Sequence, residues 1–283
     1  MPFYAVHEGI YEGVRNRIDL LRTVCVRRGL EFVDLDSLTL DYTEIPCLKK
    51  TDILYQVSSG AQTLISLILN REVTTPYIVN PDLNLITSTT QWSLLHAKLG
   101  LSAPKTLFHF TNNRHLLKRY VEHLGGFPVI IKKVGGSRGV GTIKVDGWHS
   151  LLSVADYLVT TGDQYILRQF ILAEYGARAI VLGGKIIKIV KFLFQENDFR
   201  NAPVLAEVRY EPYSPGPPDL TPLCADALRA ANLEFGGVDL LFDASGREYL
   251  LEVNYPTGFQ SFLDDPYPVL ESLVSHLACK AGI

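Results

Sequence analysis

The chain lacks the features that mark several function classes. Its 283 residues hold four cysteines, Cys25, Cys47, Cys224 and Cys279. They lie far apart, with no Cys-x-x-Cys and no His at zinc-finger spacing, so neither a disulfide framework nor a zinc module is readable. Buried or idle thiols are expected, because free Cys is commonly core. No apolar run approaches the roughly 18 residues of a membrane span. The first residues lack a charged segment followed by a long apolar stretch, so no signal peptide is read. Neither sign of charge prevails, with 27 Lys and Arg against 30 Asp and Glu. That balance speaks against a dedicated binder of nucleic acid or anionic membrane. Nucleophile motifs are missing as well: there is no Gly-x-Ser-x-Gly and no His-Glu-x-x-His. The expectation is a cytoplasmic protein in a reducing compartment.

The chain does have enough material for a core. Hydrophobic residues make up 47% and charged residues 20%, ordinary values for a globular protein. At roughly 150 residues per domain, the length suggests about two folding units.

Periodicity divides the chain. Phe3–Val6, Glu31–Leu35, Ile53–Val57 and Tyr77–Val79 read as strands, interleaved with helices at Val14–Cys25 and Gln62–Leu69. That alternation predicts a parallel sheet in an open α/β unit. Next come a helix from Thr90 to Leu99, a strand Lys105–Phe110, a helix capped by Thr111 and running to Leu124, and strands Phe127–Lys132 and Thr142–Val145. From about residue 163 long strands dominate: Gln164–Arg168, Arg178–Leu182 and Lys185–Phe194. The dipeptide Gly183-Gly184 joins the last two as a hairpin. A proline-rich loop from Glu211 to Pro218, a helix Pro222–Ala231, strands Val238–Phe242 and Glu248–Val253, and a closing helix near Val269–Ala278 complete the pattern. The arginines Arg15, Arg17, Arg22, Arg27 and Arg28 on the first helix read as a solvated face.

Three features carry chemistry. Gly135-Gly136-Ser137-Arg138-Gly139-Val140-Gly141 is neither a Walker loop nor a dinucleotide fingerprint, because no Gly-Lys-Ser/Thr closes it and a strand follows it. It suits a flap whose backbone N–H groups cover phosphates, with a plain surface hairpin as the competing reading. Lys132 ends the buried run just before this loop, placed as a point charge for phosphate oxygens. Ser245-Gly246 marks a turn between two apolar strands. A two-residue turn there sets Asp239 directly opposite Glu252, with Asn254 on the same face as Glu252. Paired buried carboxylates need a counter-ion, and these oxygens suit Mg²⁺. Arg178, inside an apolar strand, needs an anionic partner. Arg200-Asn201 sits in a polar loop.

The ordered set resembles the ATP-grasp superfamily, specifically the RimK-type carboxylate–amine ligases, over about residues 89–260. Its most specific parts are Gly237-Val238-Asp239 and Leu251-Glu252-Val253-Asn254. The resemblance implies a mixed α/β and α+β ATP-grasp fold. An N-terminal α/β domain would span 1–88, a central lobe with the flap 89–165, and a C-terminal lobe with the metal site 166–283. It implies that Lys132 contacts ATP phosphates and that the flap, with Gly136, Ser137 and Gly139, covers them. The backbone of Arg168, Gln169, Phe170 and Ile171 would read adenine. Asp239, Glu252 and Asn254 would hold Mg²⁺, two ions, with Mn²⁺ as a substitute. Arg178 and Arg200 would bind the transferring phosphoryl group or acyl phosphate, joined by Lys191. The chain departs from the family pattern in having no Lys near Thr89, in Tyr255-Pro256-Thr257-Gly258-Phe259, and in Ala202-Pro203-Val204-Leu205. Glutamate is therefore not carried over as substrate. The implied reaction is amide or peptide bond formation on small-molecule, amino-acid or peptide substrates, with a homo-oligomer open and without nucleic acid or membrane partners. A small-molecule kinase and a non-catalytic ATP-binding module remain open.

Overall fold

Strand–helix alternation builds the first layer. The computed structural model describes residues 1–9, 12–57, 62–70, 72–76, 89–135, 139–194, 198–200, 209–213, 219–259 and 263–283, with backbone alone at 62–64, 89–92 and 209. Strand β1 (Pro2–His7) leads into α1 (Glu12–Arg27), β2 (Glu31–Asp36), β3 (Ile53–Gln56) and α2 (Gln62–Leu69). The three strands are parallel in the order β2-β1-β3. Helix α1 buries Ile18, Leu21, Val24 and Cys25, as their spacing predicts. It ends before Gly29, whose φ of +69° is the left-handed conformation favoured there. The strand expected at Tyr77–Val79 lies outside the described residues.

The middle of the chain holds α3 (Thr89–Lys98), β4 (Thr106–Leu107), α4 (Arg114–Leu124), β5 (Val129–Lys133), β6 (Thr142–Val145), α5 (Trp148–Leu158) and β7 (Tyr165–Gln169). Its sheet runs β4-β7-β5-β6. Two expectations are corrected here. The strand read over Lys105–Phe110 is only Thr106–Leu107, because pairing with β7 stops after two residues. The cap of α4 is Asn113, whose side chain accepts from the His115 and Leu116 N–H groups. Thr111 instead accepts from the Asn113 N–H. Helix α5 was not read from the sequence at all. Val129, Ile131 and Leu167 pack from the sheet against Leu117 and Val121 of α4 and Leu151 and Ala155 of α5.

The remainder is β8 (Ala173–Leu182), β9 (Lys185–Leu193), β10 (Arg209–Pro212), α6 (Thr221–Ala230), β11 (Phe235–Asp243), β12 (Glu248–Asn254) and α7 (Tyr267–Ala281). The sheet is antiparallel in the order β10-β9-β8-β11-β12. Both turn glycines, Gly183 and Gly184, have positive φ (55° and 77°), as a tight hairpin between twisted strands requires. Glu211 and Pro212, expected in a loop, instead extend β10 along β9. The rest of that loop, 214–218, lies outside the described residues.

The two faces of this sheet have different partners. Ala177, Ala179, Val181, Val238 and Leu240 pack on Cys224, Ala227 and Leu228 of α6. On the opposite face, Ile180, Leu182, Val190 and Phe235 share one core with Phe3, Ile18, Leu21 and Tyr55 of the first layer and Leu270, Leu273 and Leu277 of α7. At about 1.5–3 kcal/mol per buried aliphatic side chain, that shared core fixes the first layer against the last sheet. No helix among the described residues is long and apolar enough to cross a membrane. All four cysteines are free, with Cys25 and Cys224 buried and Cys47 and Cys279 exposed.

Candidate active site

Strand alternation decides which side chains meet. On β5, Ile131 faces the α4–α5 core, so Ile130 and Lys132 face the other way, together with Ile166 and Arg168 of β7. That face looks at β12. Lys132 Nζ lies 3.0 Å from Glu252 Oε2 and donates to it, an ion pair between strands of different sheets. Each side chain is only 20% exposed.

The β11–β12 register puts Asp239 opposite Glu252, as expected, but by another route. The turn is longer than two residues, closed by the Asp243 N–H on the Arg247 carbonyl. Continued regularly, that register would oppose Asp239 to Leu251. A bulge between Asp239 and Leu240 restores the pairing with Glu252. The Leu251 carbonyl then accepts from Arg168 Nη1 at 3.4 Å.

Asp239 is fully buried and lies opposite Arg178 on its other side. Arg178 grips it as a fork, Nε to Oδ1 and Nη2 to Oδ2, both at 2.5 Å. Asn254 Nδ2 donates to the same Oδ2 at 3.1 Å. Burial pushes the Asp239 carboxyl above its ordinary range, against the opposing pull of Arg178 and Asn254. Burial also acts to raise Glu252, but the Lys132 ammonium, with Arg178 and Arg168, outweighs it and holds Glu252 below the usual value. Burial would lower Arg178, and Asp239 more than reverses that. Five groups, Lys132, Arg178, Asp239, Glu252 and Asn254, therefore form one charge-compensated cluster.

The remaining candidates divide. Arg200 pairs with Asp198 at 2.6 Å and lies against the flap, since a Cβ on Gly139 would come within 2.9 Å of Arg200 Cδ. Gly139 also has φ +71°, which disfavours any side chain there. Gly136 and Ser137 lie outside the described residues, as does Asn201. The structure does not bring Lys191 to the cluster. It is opposite Ala177 in the register, on the sheet face away from Arg178, with Nζ 4.5 Å from the Tyr175 ring centroid. The Arg168 side chain is a buried tie, donating from Nε to Thr106 Oγ1 (3.0 Å) and from Nη2 to Ser93 Oγ (3.1 Å). The Gln169 N–H is already given to the Lys105 carbonyl. Phe170 and Ile171 follow the strand end half-buried, with Lys144 Nζ 5.1 Å from the Phe170 ring centroid.

Sequence reasoning named Thr257 only within the departing stretch 255–259 and misread Arg17. Thr257 is fully buried, with Oγ1 2.3 Å from where a Cβ on Gly237 would stand. Arg17 does not belong to a solvated face. It is 8% exposed and donates from Nη1 to the Val57 carbonyl at 2.8 Å. The signal was present, since Val14, Arg17, Ile18 and Leu21 form one helical stripe.

Residues 90–265 match the family model of the RimK-like ATP-grasp domain. A probable alpha-L-glutamate ligase of Psychromonas ingrahamii is 26% identical over 175 residues, 59% of this chain and 54% of that protein. A probable alpha-L-glutamate ligase of Trichodesmium erythraeum is 25% identical over 257 residues, 83% and 82% of the two chains. The chain spans about half the length of several of the curated relatives it matches, 54% of the Psychromonas protein among them, and 82% of the Trichodesmium protein. Among solved structures, the ATP-grasp ligase PsnB complexed with a phosphomimetic precursor variant, Mg and ADP superposes with TM-score 0.73 at 17% identity, covering 97% of this chain and 98% of that one. D-alanine–D-alanine ligase from Bacillus anthracis gives 0.69 at 14%, covering 99% and 97%. These likenesses show an ATP-grasp fold along nearly the whole chain.

Proposed function

The chain belongs to the RimK-like ATP-grasp family, and from that premise we propose an ATP- and Mg²⁺-dependent ligase that joins a carboxylate to an amine. The observation that carries this reading is the cluster in which Lys132 of one sheet meets Glu252, Asp239, Asn254 and Arg178 of another. The relatives named glutamate ligases and the ligase neighbours support it.

The donor set fits Mg²⁺: two carboxylates and one amide oxygen, all hard ligands, on two adjacent strands. Each carboxylate now has a cationic partner, Arg178 for Asp239 and Lys132 for Glu252. In this reading Asp239, Glu252 and Asn254 hold the metal, with two ions and Mn²⁺ as an alternative. When bound, the ion neutralises charge on phosphoryl oxygens.

The reaction assigns work to the chain's own groups. A substrate carboxylate attacks the γ-phosphorus of ATP, forming an acyl phosphate and releasing ADP. An amine then attacks the acyl carbon and expels phosphate. Lys132 and Arg178, held near the cluster by the carboxylates, turn to the phosphoryl oxygens. Arg200, against Gly139, links the flap to the site, and flap closure excludes the water that would hydrolyse an acyl phosphate. No protein nucleophile is required. The Phe170–Ile171 segment beside Lys144 is the adenine contact we assign. Substrates are amino acids or short peptides, and the protein works in the cytoplasm.

The test is ATP turnover with Mg²⁺ against pooled amino acids and short peptides. ADP and free phosphate in equal amounts are expected. ADP with a phosphorylated product and no free phosphate would make the protein a kinase.

A further inference from the structure

Arg17 poses a problem the cluster does not solve. Its guanidinium sits inside the protein, and burial pushes its pKa below the ordinary value. Among the described residues, the hydrogen bond its guanidinium makes runs from Nη1 to the Val57 carbonyl. Nε has no hydrogen-bond partner among the described residues, and no carboxylate among them forms an ion pair with Arg17. Residues 58–61 and 260–262, which adjoin Val57 and Phe259 in the chain, include no acidic residue. A buried guanidinium without an anion is costly, and an anionic ligand relieves that cost.

Its position is informative. Val57 follows β3 at the carboxyl end of the parallel sheet, between β1 and β3, where the chain order reverses from β2. Open α/β sheets bind ligands at that kind of crevice. On the other side stands the loop leaving the metal site. Gly237, two residues before Asp239, is opposite Asn254, and the buried Thr257 packs directly on it. Gly258 comes next, and a Cβ built there would touch Arg17 Nη2 at 3.5 Å. The Phe259 ring centroid lies 5.8 Å from Arg17 Cζ. A continuous path of contacts thus runs from Asp239 and Asn254 through Gly237 and Thr257 to Gly258 and Arg17. Glycine at 258 leaves the guanidinium uncovered by a side chain on that side.

We propose that Arg17 is a specificity-determining residue that binds a substrate carboxylate other than the one activated. The proposal rests on the ligase reading. The reacting carboxylate must meet the phosphoryl group beside Lys132 and Arg178, and Arg17 stands beyond Thr257 from there. Two sources present a second carboxylate: the α-carboxylate of an amino-acid amine, or the spare carboxylate of a diacid. Either way the substrate bridges the N-terminal sheet and the 255–259 loop.

The experiment uses the full chain and two probe sets, read by thermal shift with Mg²⁺ and a non-hydrolysable ATP analogue. One set is the twenty common amino acids against their α-amides. The other is short aliphatic diacids against their monoamides. The proposal expects the free acid of one set to stabilise the protein and its amide to fail, with the responding set identifying the source. Arg17→Gln then weakens that free acid about 10- to 100-fold, the range for a hydrogen bond to a charged group, while leaving affinity for the ATP analogue unchanged. Arg17→Lys guards against misfolding by retaining the charge, and it recovers part of the preference. Equal stabilisation by acid and amide, an unchanged preference in Arg17→Gln, or no response to either set would overturn the proposal. The ligase reading is judged separately by ADP and phosphate release, which those outcomes leave intact.

Discussion

Lys132 Nζ donates to Glu252 Oε2 at 3.0 Å, and with that bond two sheets that share no strand meet through opposite charges. The pair brings the lysine one residue short of the end of β5 to a carboxylate within β12. In our account it is the resting form of a site whose two halves both turn to ATP.

Removing the lysine should therefore have two effects. Lys132→Met should lower kcat/KM for ATP by about 10²–10³, the usual cost of losing one preorganised charge contact. It should also raise the Glu252 pKa, because the largest force holding that carboxyl down is gone while burial remains. In the native protein Glu252 titrates below its unfolded value. Its contribution to stability is therefore present above the ordinary carboxylate range and is lost as pH falls through the lowered value. In Lys132→Met the acid limb of stability should move to higher pH, which denaturant titration across pH 3–7 would reveal.

The Arg178–Asp239 fork predicts strong non-additivity. Asp239→Leu removes the carboxylate that the largely buried Arg178 guanidinium grips and should cost about 3–5 kcal/mol. Arg178→Met with Asp239→Leu should cost less than Asp239→Leu alone. Urea unfolding of the two single variants and the double variant closes the cycle. Equal or larger loss in the double variant would contradict the geometry.

Gly237 tests the packing behind the metal ligands. An alanine Cβ there would stand 2.3 Å from Thr257 Oγ1, and Thr257 is too buried to turn away. Gly237→Ala should cost about 1–3 kcal/mol, typical of overpacking. Adding Thr257→Ala, which removes the clashing oxygen, should restore much of it in the same denaturation measurement.

A surface cluster gives a milder pH effect. Glu234 accepts from Lys280 Nζ at 2.6 Å and lies 3.1 Å from His276 Nε2, joining β11's approach to α7. Burial acts to raise its carboxyl, but Lys280 and His276 outweigh that and hold it low. Glu234→Gln should cost about 0.5–1 kcal/mol at pH 7, given solvent screening. The gap to wild type should close as pH falls through the lowered carboxyl value.

The legible parts of this protein were those governed by strand period and turn residues. The parallel first layer followed from alternation, and the Gly183-Gly184 hairpin and the facing pair Asp239 and Glu252 from turn residues. The pairing was reached through a wrong turn length, which the bulge beside Leu240 compensates; no local signal announces a bulge. Asn113 was passed over as a cap in favour of Thr111, although Asn is the stronger capping residue. Arg17 was missed because a cluster of arginines suggested solvent, while its place on the stripe of Val14, Ile18 and Leu21 pointed inward. Lys191 failed for the simplest reason. Register with Ala177 puts it one residue out of phase with Arg178, and a one-residue offset reverses the face.

The most direct test of the account is hydroxylamine trapping during ATP turnover with the pooled acids and no amine. An acyl-phosphate ligase should give hydroxamate in step with ADP and free phosphate, and Glu252→Gln should abolish all three. ADP formed without hydroxamate, or AMP and pyrophosphate in its place, would contradict an acyl phosphate formed beside Lys132 and Glu252.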